Sequence, residues 1–507
     1  MPPNHTAPSP NRIYALPMAI RRAGPCVLAL VCTLTACTSG SGEPRTTAPQ
    51  HTPATSAGES PGALQQRPAE PGAPGIGDPY YPEAGNGGYD AQGYDVSVRY
   101  DPDSGVLHGD STMTARATKP LSRFNLDLRG MTVEAVHVDG ARARFDREGA
   151  HELVITPEQA KAGNQRFRVR VQYHGTPQRK TSGLGNDGWH RTPSGGAFAM
   201  GEPPSASFWY PSNDHPRDKA TFRLTARVPE GWTAVSIGRE EQSTTRDGWT
   251  TSRWIEPEPV AGYLTTVAID RFGVTRRTLD DGTPVVNAFA PGSEDLRPEA
   301  RRTGEIVRFL ESRFGDYPAT TTGGIYLGAD IGYALETQGR PTYDVDARLE
   351  TIVHELAHQW YGNEVSVSSW ADICLNECFA SYAQWLWDEG KEGADLDVKY
   401  HKTVAAVTDE FWEPPLYDMG AGDEFQGVYS KGILAMHALR RQIGEKAFWT
   451  VMRSWPRQHS EGNASWPEFE RFVERKYGRS LDGFFAAWFH RSGLPDEQYL
   501  YPGTLSN

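Results

Sequence analysis

The stretch Thr351–Trp360, TIVHELAHQW, carries two histidines four residues apart. On a helix, residues at that spacing lie on one face, so His354 and His358 point the same way. Two imidazoles so placed can bind one zinc ion, and the adjacent Glu355 is positioned to act as a general base. The other side of the helix carries apolar residues that would be buried and would fix both rings: Ile352, Val353, Leu356 and Ala357.

A catalytic zinc site needs a third protein ligand and one position open for water. Glu377 is the candidate, because eighteen residues, Gln359 to Asn376, separate it from His358 in a pattern that predicts a second helix. We therefore expect one zinc ion per chain, bound by His354, His358 and Glu377. Asp372 or Asn376 is expected to steady the ligands from a second shell.

Length and charge limit the number of domains and the kind of partner. The chain has 507 residues, more than one ordinary domain, and a net charge of −13. This charge argues against nucleic acid as a partner, because phosphate binding requires clustered Lys and Arg. Fourteen Trp and 21 Tyr provide aromatic mass for a large core and a substrate cleft.

The amino-terminal segment predicts export. Arg21 and Arg22 precede the apolar run Val27–Leu34, which is too short to remain as a membrane-spanning helix. The run leads into Leu-Thr-Ala-Cys37, which resembles a bacterial lipobox and implies cleavage before Cys37 and lipid attachment to its sulfur. Residues 1–37 are thus a predicted lipoprotein signal peptide, with Met18 as an alternative start. A plain secretory signal is the other interpretation, and either one places the protein outside the cytoplasm.

Composition and periodicity divide the remainder into three parts. Residues 38–78 are rich in Pro, Ser, Thr, Gly and Ala and predict a flexible linker. Residues 79–275 contain alternating strand patterns separated by turn signals, which predicts an all-β domain, a sandwich or saddle. The strand-like runs include Tyr94–Tyr100, Phe167–Tyr173, Phe222–Val228 and Tyr263–Ile269. Residues 276–507 begin with the strand-like Pro284–Phe289 and the helical Arg297–Phe314, and then become mostly helical.

The sequence resembles the gluzincin aminopeptidases related to aminopeptidase N and leukotriene hydrolase. Their pattern is H-E-x-x-H, eighteen residues, then a glutamate within W-x-D-x-x-L-N-E-G-F-A. The residues in register here are Trp370, Asp372, Leu375, Asn376, Glu377, Phe379 and Ala380. The resemblance covers roughly residues 75–500. It implies an amino-terminal β domain followed by a thermolysin-like, mostly helical zinc-metallopeptidase domain.

The resemblance also implies three further site residues. The family stabilises the developing oxyanion with a tyrosine in Y-x-K-G, which matches Tyr429 here. It recognises the substrate's free amine with the glutamate of G-A-M-E-N, for which Glu336 in Tyr-Ala-Leu-Glu-Thr is the candidate. A second acidic anchor, Q-x-E, corresponds to Glu202 in Met-Gly-Glu, where the glutamine is missing.

Cys374 and Cys378 depart from the family pattern, which has an aromatic residue and a glycine at these positions. They could form a disulfide, although an i,i+4 pair inside a regular helix is poorly disposed for bridging. They could instead be small buried residues that fill space. The second interpretation is favoured slightly.

These residues together predict an exported zinc aminopeptidase that removes amino-terminal residues from peptides by means of a zinc-activated water. The expected partners are peptides with a free amino terminus, and the membrane through a lipid on Cys37. One alternative is a thermolysin-type zinc endopeptidase, which lacks acidic anchors that would block longer chains. Another is an inactive relative that serves as a binding scaffold, which the complete set of candidate residues argues against.

Overall fold

The computed structural model describes residues 68–181 and 185–506. The predicted signal peptide with Cys37, and the predicted linker as far as residue 67, lie outside the described residues. Within the two described ranges, no helix combines the length and the apolar character needed to cross a bilayer.

The first part of the described chain is built from strands. Their bounds are β1 Glu70–Pro71, β2 Tyr89–Asp101, β3 Val106–Ala117, β4 Leu121–Asp127, β5 Thr132–Val138, β6 Ala141–Arg142, β7 Arg144–Glu148, β8 Glu152–Thr156, β9 Arg166–Gly175, β10 Arg179–Thr181, β11 Asn186–Arg191, β12 Ala197–Met200, β13 Lys219–Pro229, β14 Thr233–Ser236, β15 Arg239–Arg246, β16 Trp249–Ala261 and β17 Val267–Asp270.

These strands form three sheets. Their orders are β15-β16-β13-β2-β3-β9-β5-β6, β10-β11-β12-β17-β14 and β1-β4-β8-β7. Three of the predicted alternating runs lie within β2, β9 and β13. Along β13, buried residues alternate with more exposed ones because successive side chains point to opposite faces of the sheet. The predicted run Tyr263–Ile269 is only partly a strand, because Gly262–Leu264 form a 3-10 turn before β17.

The chain joins this β-rich region earlier than residue 79, the predicted start of the domain. Strand β1 pairs with β4 in parallel. Asp78 is buried and accepts hydrogen bonds from His215 Nε2 and from the backbone N–H of Trp370, both at 3.0 Å. Residues 70–78 are therefore packed against the rest of the protein. Their composition resembles a linker, but composition does not reveal the partners of a single buried carboxylate.

The second part of the described chain is mostly helical. Its strands are β18 Gly273–Thr278, β19 Pro284–Phe289, β20 Thr322–Tyr326, β21 Thr342–Tyr343, β22 Val365–Val367 and β23 Gly462–Ala464. Its helices are α1 Arg297–Ala300, α2 Thr303–Phe314, α3 Leu349–Ala357, α4 Cys374–Trp387, α5 Leu396–Ala406, α6 Asp409–Trp412, α7 Lys431–Gln458, α8 Trp466–Tyr477, α9 Asp482–Phe485 and α10 Glu497–Leu500. Strands β18 to β21 form one sheet in chain order.

Several helix ends follow from local sequence. Helix α2 ends at Gly315, which has φ of +100°, a conformation that glycine adopts without steric cost. Ser465 and Glu468 form a capping box at the start of α8. Helix α7 is interrupted at Gly444, where φ is +77°. The predicted order, a β-rich domain followed by a helical domain, is confirmed.

Helices α3 and α4 lie at the centre of the helical part. Almost every residue of α4 is buried. The ring of Phe379 stacks on Tyr361 at 4.4 Å between centroids and meets Phe469 of α8 edge-on at 5.1 Å. Close packing of this kind leaves little room for either helix to shift. The side chains that α3 and α4 present to each other are therefore held in fixed positions.

Candidate metal centre and substrate cleft

The three predicted metal ligands converge between α3 and α4. His354 lies on α3 and His358 directly follows its last residue, with helical φ and ψ. Glu377 lies in the first turn of α4. The Nε2 atoms of the two histidines are 3.0 Å apart, and Glu377 Oε2 lies 3.2 Å from His354 Nε2 and 3.5 Å from His358 Nε2. All three side chains are buried.

Hydrogen bonding orients one of the imidazoles. His358 Nδ1 lies 2.9 Å from the backbone carbonyl oxygen of Tyr361. A carbonyl oxygen can only accept, so Nδ1 carries the proton and the lone pair of Nε2 faces the cluster. Metal-binding histidines are commonly fixed in this way by a carbonyl on the far side of the ring.

The donor set fits zinc in both chemistry and spacing. Zinc bonds to histidine nitrogen and carboxylate oxygen measure about 2.0–2.2 Å, so neighbouring ligand atoms of a tetrahedral site lie roughly 3.3–3.6 Å apart. The three separations observed here are 3.0, 3.2 and 3.5 Å. A closed structural site would have four protein ligands, whereas three leave a position for water or substrate. His354, His358 and Glu377 would therefore hold a catalytic zinc ion.

Glu355 and Glu377 are both buried but occupy different electrostatic environments. Burial raises the pKa of Glu355 well above its usual range. Burial also acts on Glu377, but the facing His358 and His354 outweigh it and hold its pKa below the usual range. Glu377 is thus suited to bind metal as a carboxylate. Glu355, a stronger base, is suited to take a proton.

Glu336 lies beside the metal cluster without belonging to it. The ligand-type atoms of Glu336, Glu355 and His358 all lie within 4.8 Å of one another. The hydroxyl of Tyr263 donates to Glu336 Oε1 at 3.1 Å, and Asn363 Nδ2 donates to the Glu336 backbone carbonyl at 2.8 Å. The predicted amine-binding glutamate is therefore buried and fixed from two sides.

Glu202 lies in the β-rich part, shortly after β12. It faces the substrate cleft, which is the space that it shares with Glu336, Glu355 and Tyr429. Its side chain is buried, and its Oε1 atom has no hydrogen-bond partner among the described residues. Burial and the charges of Glu336 and Glu377 raise its pKa well above the usual range. Several carboxylates thus share one buried space, which would favour a bound cation.

Tyr429 lies beside His354, just before α7. Its ring centroid is 6.0 Å from that of His354. Burial, and then the charges of Glu377 and Glu202, raise its pKa well above the usual range. The hydroxyl therefore keeps its proton at neutral pH and can donate a hydrogen bond into the cleft.

Asp372 and Asn376, which were expected to steady the metal ligands, hydrogen-bond to other groups. Asp372 does not orient a ligand side chain, because its carboxylate accepts from the backbone N–H groups of Ser369, at 3.1 Å, and Trp466, at 2.8 Å. It caps the 3-10 turn that leads into α4. Asn376 donates to the hydroxyl of Tyr263 at 3.4 Å, so it supports the residue behind Glu336.

Cys374 and Cys378 are joined by a disulfide, so the favoured prediction of two free cysteines is wrong. Both cysteines lie in the first two turns of α4, and Cys374 is the first residue of the helix, directly after the 3-10 turn. Its Cα–Cα distance of 4.8 Å falls within the range of about 4.4–6.8 Å that a disulfide requires. The bridge spans Glu377 and packs against Gly432, where a Cβ atom would lie 2.7 Å from Cys378 Sγ.

The sequence did not identify two residues that support the cleft. Tyr263 was included in a strand, whereas its hydroxyl contacts Glu336. Arg340 is completely buried and donates to the backbone carbonyls of Val286, Ser236 and Gly238. Arginine is rarely buried, so nothing in the sequence indicates that Arg340 lies inside the protein. Its hydrogen-bond acceptors are distant in the chain and could not be identified from the sequence.

Comparison with known proteins agrees with this geometry. The model of the Peptidase M1 N-terminal domain matches residues 90–264, and the model of the Peptidase family M1 domain matches residues 333–488. The crystal structure of an M1 zinc metallopeptidase from Deinococcus radiodurans is similar at 30% identity with a TM-score of 0.72, covering 79% of this chain and 93% of that one. A mutant of that protein bound to a Tyr-Ser-Ala substrate gives a TM-score of 0.77 at the same identity, covering 83% and 99%.

Longer relatives are similar over part of their length. Aminopeptidase N of Streptomyces lividans is 27% identical over 333 residues, which is 59% of this chain and 38% of that protein. A probable aminopeptidase 1 of Saccharolobus solfataricus is 25% identical over 408 residues, covering 74% and 50%. This chain thus spans half or less of the length of these two relatives. With both M1 domain models matched and the Deinococcus structure covered almost completely, the chain belongs to the M1 family of zinc metallopeptidases.

Proposed function

We propose that this protein is a zinc aminopeptidase that hydrolyses the first peptide bond of peptides with a free amino terminus. The names of the Streptomyces and Saccharolobus relatives support this activity. The bound tripeptide in the Deinococcus structure supports peptides as the substrate class. The observation that carries the proposal is a pair of buried carboxylates, Glu336 and Glu202, beside the metal ligands but not among them.

Each residue has a chemical task in this reaction. When bound, zinc would lower the pKa of a water molecule to about 7 and polarise the scissile carbonyl. Glu355 accepts the proton of the attacking water and returns it to the leaving amine. Tyr429 donates a hydrogen bond to the oxygen of the scissile carbonyl as negative charge develops there.

The paired carboxylates select the substrate's end. A protonated amine that leaves water needs charged acceptors, and Glu336 and Glu202 provide two in a buried cleft. A peptide bound with its ammonium group there has its first peptide bond near Glu355, because Glu336 and Glu355 are close neighbours. A chain that continued beyond this point would meet two desolvated carboxylates with no counter-charge.

A comparison of free and acetylated substrates tests the proposal. We expect the parent enzyme to cleave an amino-acid fluorogenic amide and to leave its acetylated form intact. Glu336→Ala should retain its metal and lose roughly ten- to a hundredfold in kcat/KM on the free substrate, while the exposed Glu350→Ala on α3 should match the parent. Equal cleavage of acetylated and free substrates would instead establish an endopeptidase.

We also propose that the protein is attached to the outer side of the cell membrane by a lipid on Cys37. The support is the sequence alone, namely the basic residues, the short apolar run and the Leu-Thr-Ala-Cys motif. Cys37→Ser should release the protein from the membrane fraction or block processing of the leader. Unchanged fractionation of this variant would favour a plain secretory signal.

A further inference from the structure

A second group of metal-binding side chains lies in the β-rich part, in the sheet β1-β4-β8-β7. Asp127 ends β4 and Glu152 begins β8, and these two residues are direct cross-strand partners in the antiparallel ladder. His151 precedes Glu152. All three side chains are at least nine-tenths buried. Like charges placed directly opposite each other destabilise a sheet, and burial increases the penalty.

The polar atoms of this group converge, and most of them lack hydrogen-bond partners. His151 Nε2 donates to the backbone carbonyl oxygen of Glu83 at 2.9 Å, and it lies 3.7 Å from Asp127 Oδ1 and 3.6 Å from Glu152 Oε1. The two longer separations exceed hydrogen-bonding distance. The other ring nitrogen, Nδ1, is buried without a partner among the described residues. Within the described part of the chain, Asp127 Oδ1 and both carboxylate oxygens of Glu152 have no hydrogen-bond partner. The unpartnered oxygens of Asp127 and Glu152 are thus the ones directed at the imidazole.

Positive charge near these carboxylates does not form ion pairs with them within the described part of the chain. A third buried acid, Asp214, donates its backbone N–H to Asp127 Oδ2 at 2.8 Å. The charges of Arg129 and Arg147 act on Asp127 and Glu152, but the two guanidinium groups donate to a serine hydroxyl and to a backbone carbonyl. Burial raises the pKa of Asp127, raises that of Glu152 to about 7 and lowers that of His151. Burial is the largest cause of each of these pKa shifts, because it penalises the charged form of every one of the three groups.

We propose that Asp127, His151, Glu152 and the carbonyl oxygen of Glu83 bind a divalent metal ion separate from the catalytic zinc. The ion would replace the hydrogen bond between His151 Nε2 and Glu83, and the imidazole proton would move to the unpartnered Nδ1. Neighbouring ligand atoms around such an ion lie about 3 Å apart in an octahedral site and roughly 3.4 Å apart in a tetrahedral one. The observed 2.9, 3.6 and 3.7 Å need only small adjustments to reach these values. A set of one imidazole, two carboxylates and one carbonyl suits Zn²⁺ or Mn²⁺.

The ion would join three segments. It would connect the ends of β4 and β8 to the turn at Glu83. Tyr80 and Tyr81 precede that turn and donate hydrogen bonds to Asp418 and Glu424, in the segment that leads to Tyr429. The metal would therefore stabilise the β-rich part and its contact with the helical part.

Metal analysis of the full-length protein tests the site. After purification with Zn²⁺ or Mn²⁺ present, the parent should hold two metal equivalents per chain and His358→Ala should hold one. Asp127→Asn combined with Glu152→Gln should also hold one while keeping peptidase activity, because it leaves the catalytic ligands intact. The proposal fails if this double variant binds as much metal as the parent.

A second measurement isolates the site from the catalytic centre. In the His358→Ala background, added Mn²⁺ should raise Tm by several degrees in proportion to occupancy. Adding His151→Gln to His358→Ala should abolish the rise in Tm. The His151→Gln substitution also tests the site if the Asp127→Asn, Glu152→Gln double variant does not fold. The metal site is refuted if Mn²⁺ neither binds to His358→Ala nor stabilises it. A double variant more stable than the parent would then indicate that Asp127 and Glu152 are held as protonated carboxyls instead.

Discussion

Glu355 and Glu377 show how position decides the chemistry of one residue type. Both are buried glutamates beside the same histidines, but only Glu377 lies within 3.5 Å of both Nε2 atoms. Glu355 is a neighbour of Glu336 instead. One carboxylate is therefore a ligand and the other a base.

These roles predict opposite phenotypes for single substitutions. His358→Ala should hold one zinc equivalent fewer than the parent, because two ligands bind the catalytic ion too weakly. Glu355→Gln should keep the zinc and lose about 100- to 10,000-fold in kcat, because an amide cannot accept a proton. Zinc content and kcat measured together on both variants check this, with the exposed Glu350→Gln as the control on the same helix. Near-parental turnover in Glu355→Gln would remove it from the mechanism.

Tyr263 should matter through Glu336. Its hydroxyl donates to the carboxylate, and a hydrogen bond to a charged group contributes about 1.5–3 kcal/mol. Tyr263→Phe should therefore lower kcat/KM for free-amine substrates by roughly tenfold or more, with the effect mainly on KM. Tyr400→Phe is the matched control, because that buried hydroxyl donates to the Leu500 carbonyl away from the cleft. Unchanged kinetics in Tyr263→Phe would contradict a positioning role.

At the scale of elements, the turn after Glu336 connects the zinc helix to the β-rich part. Gly339 N–H donates to Gln359 Oε1 at 2.8 Å, immediately after the second histidine. Gln338 N–H donates to the Leu264 carbonyl at 3.1 Å, next to Tyr263. The turn therefore sets the distance between the amine-binding carboxylate and the metal ligands.

Arg340 holds this turn in place, and its loss should be costly. Arg340→Met leaves three buried carbonyls without their donor, which should reduce the free energy of unfolding by about 3 kcal/mol. Denaturant unfolding measures this, and kcat/KM for free-amine substrates should fall as Glu336 shifts. Arg340 lies over the ring of Trp254, at 4.9 Å from its centroid. Arg271→Met is the control, because Arg271 lies over the ring of Trp232 at 4.0 Å but is exposed. A loss no larger than in the control would contradict the role of Arg340.

At the scale of the whole molecule, Asp78 links the start of the described chain to α4. Burial would raise its pKa, but hydrogen bonds from His215 and from the backbone N–H groups of Trp370 and Tyr80 outweigh this and hold the pKa well below its usual range. The folded state therefore favours the ionised form. Through Trp370 this interaction reaches the turn that Asp372 caps ahead of Glu377.

The depressed pKa of Asp78 predicts a pH-dependent contribution to stability. A folded pKa below the unfolded one gives stability that is present above about pH 4 and is lost as pH falls toward the folded pKa. Asp78→Asn should thus be less stable than the parent at pH 6, and the difference should narrow by about 1 kcal/mol at pH 3. Urea unfolding at both pH values checks this, with the exposed Asp103→Asn as the control. A constant difference across this range would contradict the linkage.

Features that depend on short spacing could be predicted from the sequence alone. The i,i+4 histidines, the glutamate between them and the alternating strands follow from backbone periods of 3.6 and 2, which residues near in the chain share. The tertiary structure decided what depends on contacts between distant segments. Asp78 and Trp370 are 292 residues apart, and Tyr263 and Glu336 are 73 apart. The disulfide of Cys374 and Cys378 is the instructive exception, because it is local but was not the favoured prediction for an i,i+4 pair at the start of a helix. No periodicity encodes these contacts, because the packing of the whole chain sets which buried polar atoms meet.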